Sequence, residues 1–387
     1  MRQRGKESWE LRVFAGRDPE TARRQYLTRT VKGTKKEASR ELARLVVQVE
    51  DGQFSVKTGT VGDLCERWYE NGEARWTART AHGYRRILDL RIIPKFGTTP
   101  LRKLRASDID VWYAQLRKKG GRGGKPLDAD TVKRIHGVLH AALKQGVRWG
   151  WLAANPSDKA TPPRTTKHDI VLPTPADVLR LVEASANVNW ALPYFLRLAA
   201  VTGARRGELC ALQWKHVDFE RRQLTIGRSI QEISGTPLLE KDTKSHATRR
   251  IGLDDRTLEL LHELRAKQDE VAAKFDVPVK ADGHLFSHEI DAGKPWRPHY
   301  VSLAFGRLAR ELNLPGVRLH DLRHFVATLM LVGGQDVRTV SGRLGHANAA
   351  TTLGIYAHFM EAADHKAADL MGRLLDDRTS TAGSQPK

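Results

Sequence analysis

Arg205, Lys244, His320, Arg323, His346 and Tyr356 are the residues of this chain whose types, taken together, could do chemistry. Guanidinium and ammonium groups can hold a phosphodiester and offset the charge that develops when it is attacked. Imidazoles move protons near neutral pH, and a phenol oxygen can act as the nucleophile. Phosphoryl transfer to a protein oxygen would use all six at once. They are spread over more than 150 positions, so the fold has to gather them.

Each residue sits in a segment with its own local logic. VTGARRGELCALQWKHVDF (201–219) places a glycine turn before a helix whose Leu209 and Leu212 face a core. Arg205 and Glu208, three apart, share a face there and can pair, which would fix the planar guanidinium. An ordinary surface ion pair has the same spacing. Two strands follow, RRQLTIGRS and ATRRIGLD, joined by QEISGTPLLEKDTKSH, with Lys244 in a polar turn and Lys241 a nearby competitor for the same proton-donating role. In RLHDLRHFVATLML (318–331) His320 and Arg323 lie three apart on a helix whose other side carries Leu322, Phe325, Val326 and Leu329. Such a pair can also be half of a metal site, but no carboxylate or cysteine stands at metal-ligand spacing beside it. Leu344-Gly345 ends a helix with a left-handed cap residue, leaving His346 just past it. Asn348 can cap the next helix, which carries Tyr356. Taken alone, that tyrosine reads equally well as core, and Lys244 as a solvated loop lysine.

The chain as a whole is built to meet a polyanion. It has 387 residues with 65 Lys and Arg against 45 Asp and Glu, a formal net charge of +20. Such a balance favours nucleic acid, with phosphate contacts that weaken as salt rises. Cys65 and Cys210 are far apart and outside any CxxC spacing, which excludes a disulfide framework and a cysteine zinc site. The start, MRQRGKESWE, lacks an apolar secretory region, and the most apolar stretch, Trp190 to Val201, is short and broken by Arg197. A cytoplasmic protein with no membrane association is expected.

Upstream, the pattern divides the chain. Residues 1–57 read as a small module: strands over Ser8–Gly16 and Arg23–Gly33, a turn at Arg17-Asp18-Pro19, then a helix with Thr34 as N-cap and Glu37 as its capping-box partner. Arg12, Arg23, Arg24 and Arg29 lie on or beside these strands, a layout that can lay a sheet in a DNA groove or present an ordinary solvated face. Residues 60–157 read as an all-helical bundle with helices after Thr60, over Thr77–Ile93, after Ser107, and over Ala129–Trp149. A glycine-rich basic loop in it carries Arg122 and Lys125, and Lys133 follows; these three are candidate DNA contacts. Pro162-Pro163 mark a linker at 158–171, and Thr174-Pro175 open a last domain at 172–365, followed by a tail at 366–387. The expected fold is multidomain and mainly α: a small β-sheet-plus-helix module, a helical bundle, and a mixed α+β domain bearing the six residues.

TGxR, a hairpin lysine, HxLRH, LGH and a tyrosine ten residues later, in that order, resemble the tyrosine recombinase (phage integrase) family. The wording TGARRGELCALQW, HDLRHFVATLML and LGHANAATTLGIYAH carries the resemblance, strongly over 200–360 and weakly over 1–55. The upstream modules resemble that family's arm-binding and core-binding domains.

The resemblance implies that Tyr356 attacks a DNA phosphodiester to leave a 3′-phosphotyrosyl link and a free 5′-hydroxyl. Arg205 and Arg323 would hold the non-bridging oxygens, Lys244 would protonate the leaving 5′-oxygen, His320 would assist proton transfer at the tyrosine, and His346 would hydrogen-bond the phosphate. Glu208 would buttress the site. No metal and no nucleotide cofactor is implied. The arm module favours an integrase of a phage or integrative element, acting as a homo-tetramer on attachment-site duplex DNA, with a host DNA-bending protein and an excision factor as further partners. Two alternatives stand beside it: a non-catalytic DNA-binding regulator on the same scaffold, and a type IB topoisomerase-like relaxing enzyme.

Overall fold

The structure is a computed structural model that describes residues 1–17, 24–50, 59–166, 171–242 and 248–345. The chain divides into two compact units, Met1–His168 and Asp169–Lys387.

In the first unit, β1 (Arg2–Gly5), β2 (Ser8–Arg17) and β3 (Arg24–Lys32) form an antiparallel meander. Strand alternation sends Trp9, Leu11, Val13, Leu27 and Val31 toward helix α1 (Lys35–Glu50), which supplies Ala38, Leu42 and Leu45 to a small core. The Glu37 carboxylate accepts from the Thr34 backbone N–H at 2.8 Å, the cap expected from sequence. The opposite sheet face is polar and aromatic. Phe14 and Tyr26 are cross-strand neighbours in edge contact, and the Arg12 guanidinium lies 3.9 Å over the Tyr26 ring. Arg29 falls on the α1 side instead, where it pairs with Glu41 at 2.6 Å.

Five helices follow: α2 (Val61–Glu73), α3 (Ala78–Ile87), α4 (Ile93–Phe96), α5 (Ala106–Lys119) and α6 (Ala129–Arg148). Thr60 and Asp63 close a capping box on α2. The single helix expected over Thr77–Ile93 instead widens into a π turn at Leu88–Ile92 before Pro94, whose missing N–H cannot continue an α ladder. Helix α5 begins two residues earlier than Ser107 as its cap would have it: the Asp108 carboxylate accepts from the Arg105 backbone N–H at 3.1 Å, so Arg105 is the cap position. Leu64, Leu88, Ile92, Ile109, Ile135 and Leu139 fill the bundle core. Packing runs on to Ala160, and the Thr161 N–H donates to Asp110 at 2.7 Å.

The second unit opens with α7 (Pro175–Ser185), capped by Thr174 and Asp177, then α8 (Leu192–Thr202) and the short α9 (Arg206–Cys210). Strands β4 (Val217–Asp218), β5 (Gln223–Ile226) and β8 (Arg249–Gly252) form one antiparallel sheet. The segment expected to join two strands contains a hairpin of its own, β6 (Arg228–Gln231) against β7 (Leu239–Asp242), turning at Gly235. Arg228 reaches across it to Glu240 and Asp242. Helices α10 (Asp255–Ala273), α11 (Pro298–Glu311), α12 (Asp321–Val332) and α13 (Val337–Leu344) complete the described part. Phe195, Phe286, Trp296 and Phe305 are fully buried at the centre of its core. No described helix is long and apolar enough to cross a membrane.

Candidate active site

Helix α8 stops at Gly203 in the left-handed conformation, φ +63°. A Cβ there would lie 2.5 Å from the Leu344 side chain, so the turn needs glycine on both steric grounds. The reversal delivers Arg205 to the N-cap of α9, where its side chain is half-buried. Glu208, one turn into α9 and 1% exposed, accepts from the Arg205 backbone N–H at 2.9 Å and from its guanidinium at 2.9 Å. The Oε2 that takes the Arg205 backbone N–H also accepts from Arg249 of β8 at 2.6 Å. Burial alone would push the Glu208 carboxyl up. The hydrogen bond and charge of Arg249, then the Arg205 N–H and charge, outweigh it and hold Glu208 below the ordinary carboxylate range.

Arg323, on the first turn of α12, is 3% exposed and donates to the carbonyls of Gly203 at 2.7 Å and Leu344 at 2.6 Å. The Arg205 guanidinium donates to the Gly345 carbonyl at 3.3 Å. Gly345 is the left-handed cap of α13, φ +68°. Both arginines therefore touch the point where the chain leaves α13 toward His346. Arg343 locks the same corner, donating to the Val201 carbonyl at 3.0 Å.

His320 is the N-cap residue of α12, its ring edge-on to His324 at 5.1 Å. Although part of its surface is open, the surrounding protein displaces enough water to lower its pKa, with His324, Arg323 and Arg205 acting in the same direction against Asp321. The value falls to about 4, so the ring is neutral at physiological pH. Asp321 is buried and occupied by Arg318, whose backbone N–H it accepts at 2.7 Å. The site thus offers two fixed guanidiniums and a neutral imidazole around a junction in the chain, an arrangement that can bind a phosphate and pass a proton.

The family model described as "Phage integrase family" matches residues 173–362, and that of the phage integrase N-terminal SAM-like domain matches residues 60–117. The ICEBs1 integrase of Bacillus subtilis is 24% identical over 95% of this chain and 97% of its own length. The chain belongs to the phage integrase family of tyrosine recombinases. It is a site-specific recombinase. Solved structures share its fold. The Tn1549 transposon integrase bound to transposon right-end DNA superposes with a TM-score of 0.67 at 20% identity, covering 80% of this chain and 99% of that one. A lambda integrase tetramer bound to a Holliday junction gives 0.59 at 17% identity, covering 86% and 92%.

Of the residues singled out from the recombinase sequence, Arg205, Glu208, His320 and Arg323 fall in one site. Lys244, His346 and Tyr356 lie outside the described residues, as do Arg23 and Asn348. Lys241 is on β7 opposite Ser229. Arg206, the next residue after Arg205, is half-buried and hydrogen-bonds Ser302 of α11. Arg12 and Arg24 are exposed on β2 and β3, and Arg122, Lys125 and Lys133 are exposed on the bundle. Arg249 was missed. Its signal was alternation: Arg249 and Ile251 lie two apart on a strand, and Ile251 is core, so the arginine also points inward and must meet a carboxylate.

Proposed function

We propose that the recombinase cuts and rejoins attachment-site DNA through a 3′-phosphotyrosyl intermediate, integrating and excising a phage or integrative element. The observation that carries this is the convergence of Arg205 and Arg323 on the backbone at Gly203 and Leu344–Gly345. It ties both phosphate-binding groups to the start of the segment that bears His346 and Tyr356.

Arg205 and Arg323 draw charge from the non-bridging oxygens as the Tyr356 oxygen bonds to phosphorus. The neutral His320 is in the state that accepts a proton, and it serves as the base near the phenol. His346 hydrogen-bonds the phosphate. The P–O5′ bond breaks as Lys244 supplies the proton to the leaving oxygen. Glu208 holds Arg205 in place. Strand return reverses these steps, with the 5′-hydroxyl of a partner duplex as nucleophile.

Residues 1–57 serve as an arm-type DNA-binding module, 60–157 as the core-binding domain and 172–365 as the catalytic domain, joined by 158–171 and followed by a tail at 366–387. Arg12 and Arg24, beside Phe14 and Tyr26, make the sheet face that enters DNA. Arg122, Lys125 and Lys133 contact phosphates from the bundle. The active form is a tetramer on two duplexes, as the lambda relative is on a Holliday junction. A host bending protein and an excision factor set direction, and the reaction runs in the cytoplasm on nucleoid DNA. Incubating the protein with a plasmid carrying the DNA that flanks its gene, then trapping covalent protein–DNA adducts with denaturant, tests the reading. Specific binding with no adduct would favour a regulator, and relaxation without site preference would favour a topoisomerase.

A further inference from the structure

Glu208 serves two guanidiniums, Arg205 at 2.9 Å and Arg249 at 2.6 Å. A buried carboxylate that faced Arg205 alone would cancel the charge Arg205 has to offer, and a neutral pair attracts a phosphodiester weakly. Arg249 changes that balance. Its side chain is 9% exposed, and its Nε donates to the Arg343 carbonyl at 3.0 Å, which fixes the guanidinium plane. Its Nη1 is buried with no hydrogen-bond partner among the described residues. A Cβ on Gly345 would lie 2.9 Å from that nitrogen, so the guanidinium is packed against the residue that precedes His346.

We propose that Arg249 is a positioning residue of the recombinase, taking up the charge of Glu208 so that Glu208 can orient Arg205 without neutralising it. Two guanidiniums against one carboxylate leave a net positive charge, and Arg205, the more exposed of the two, presents it. Arginine is needed because one planar fork must reach Glu208 and the Arg343 carbonyl in different directions, which a single ammonium does not do. The inference rests on the phosphoryl-transfer reading of the site.

The test uses the full chain and a labelled duplex carrying its cleavage site, nicked so that the released end diffuses away and one turnover is read. Wild type, Arg249→Gln, Glu208→Gln and the double variant are compared at saturating DNA, with DNA affinity and melting temperature measured alongside. Arg249→Gln is expected to slow adduct formation about 100-fold while affinity changes by about threefold or less, as for loss of charge stabilisation at the phosphate. The double variant is expected to regain about tenfold over Arg249→Gln, because Arg205 is again unopposed; a residue that only supports the fold gives no such recovery. Arg249→Gln within about threefold of wild type, or a double variant no faster than Arg249→Gln, overturns the proposal. Should Arg249→Gln not fold, the double variant set against Glu208→Gln decides: rates within about threefold support it, and a further loss of about tenfold overturns it. Wild type that forms no adduct refutes the reading of the site itself, and this inference with it.

Discussion

Arg323 Nη1 donates to the carbonyl oxygen of Gly203 at 2.7 Å, so a buried guanidinium on α12 holds the turn that delivers Arg205. Because its Nη2 also holds the Leu344 carbonyl, at 2.6 Å, one side chain sets the spacing of three segments. Arg323→Ala should lose about 1–3 kcal/mol for each carbonyl left without its donor. Arg323→Lys keeps the charge but cannot serve both carbonyls with one planar fork. It is expected to keep most of the stability and to lose about 100-fold or more in adduct formation. Denaturant melts and single-turnover cleavage on the same preparations separate the two effects; equal losses in both would contradict the assignment.

Glu208 makes stability pH-dependent. Its carboxyl is held below the ordinary range in the folded chain, so the folded state binds fewer protons than the unfolded state as the solution is acidified. The stabilisation is fully present above the unfolded carboxylate value and is lost as pH falls through the lower folded one. Urea melts across that window should show a shallower acid limb for Glu208→Gln than for wild type. Glu208→Ala, which leaves two guanidiniums without their carboxylate, should cost about 3–5 kcal/mol near neutral pH.

For His320, a pKa lowered to about 4 means that the ring stays neutral in the free protein down to well below its ordinary value of 6.5. The folded state binds fewer protons in that interval, so this group's contribution to stability is present above 6.5 and lost as pH falls toward about 4. Histidine NMR titration with a His320→Gln control should show that the ring absent from the control resists protonation through pH 6. A His320 ring titrating at its ordinary value would remove the case for a base that is ready in the resting state.

Much of this was legible in the sequence, for reasons that differ by region. The Thr34, Thr60 and Thr174 caps announce their helices because the cap residue and its bonded N–H lie within three positions. Gly203 and Gly345 announce their turns because the left-handed conformation favours glycine. The β6–β7 hairpin did not show, since Leu239–Asp242 has no apolar alternation and is held partly by cross-strand pairs from Arg228. The sequence does not separate Arg29 from the DNA-facing arginines, because a strand's two faces are told apart by what packs on each, and its Glu41 partner lies on a helix. Arg249 was hidden because Glu208, its partner, is 41 positions away.

The sheet face makes a prediction that separates its arginines. Arg12→Ala and Arg24→Ala should each weaken arm-site binding and lower the steepness of the log–log salt dependence by about 1. Arg29→Ala should change it far less, because that guanidinium lies on the α1 side, paired with Glu41. Filter binding or anisotropy between low and physiological salt measures this, and a salt-insensitive wild type would contradict the polyanion reading altogether.

Covalent capture weighs most. Wild type and Tyr356→Phe are incubated with a plasmid carrying the flanking DNA, quenched with denaturant, and examined for protein linked to a 3′ end. A 3′-linked adduct from wild type that is absent from Tyr356→Phe, with both proteins binding the DNA alike, is the expected result. An adduct that survives in Tyr356→Phe would contradict the assignment of the nucleophile.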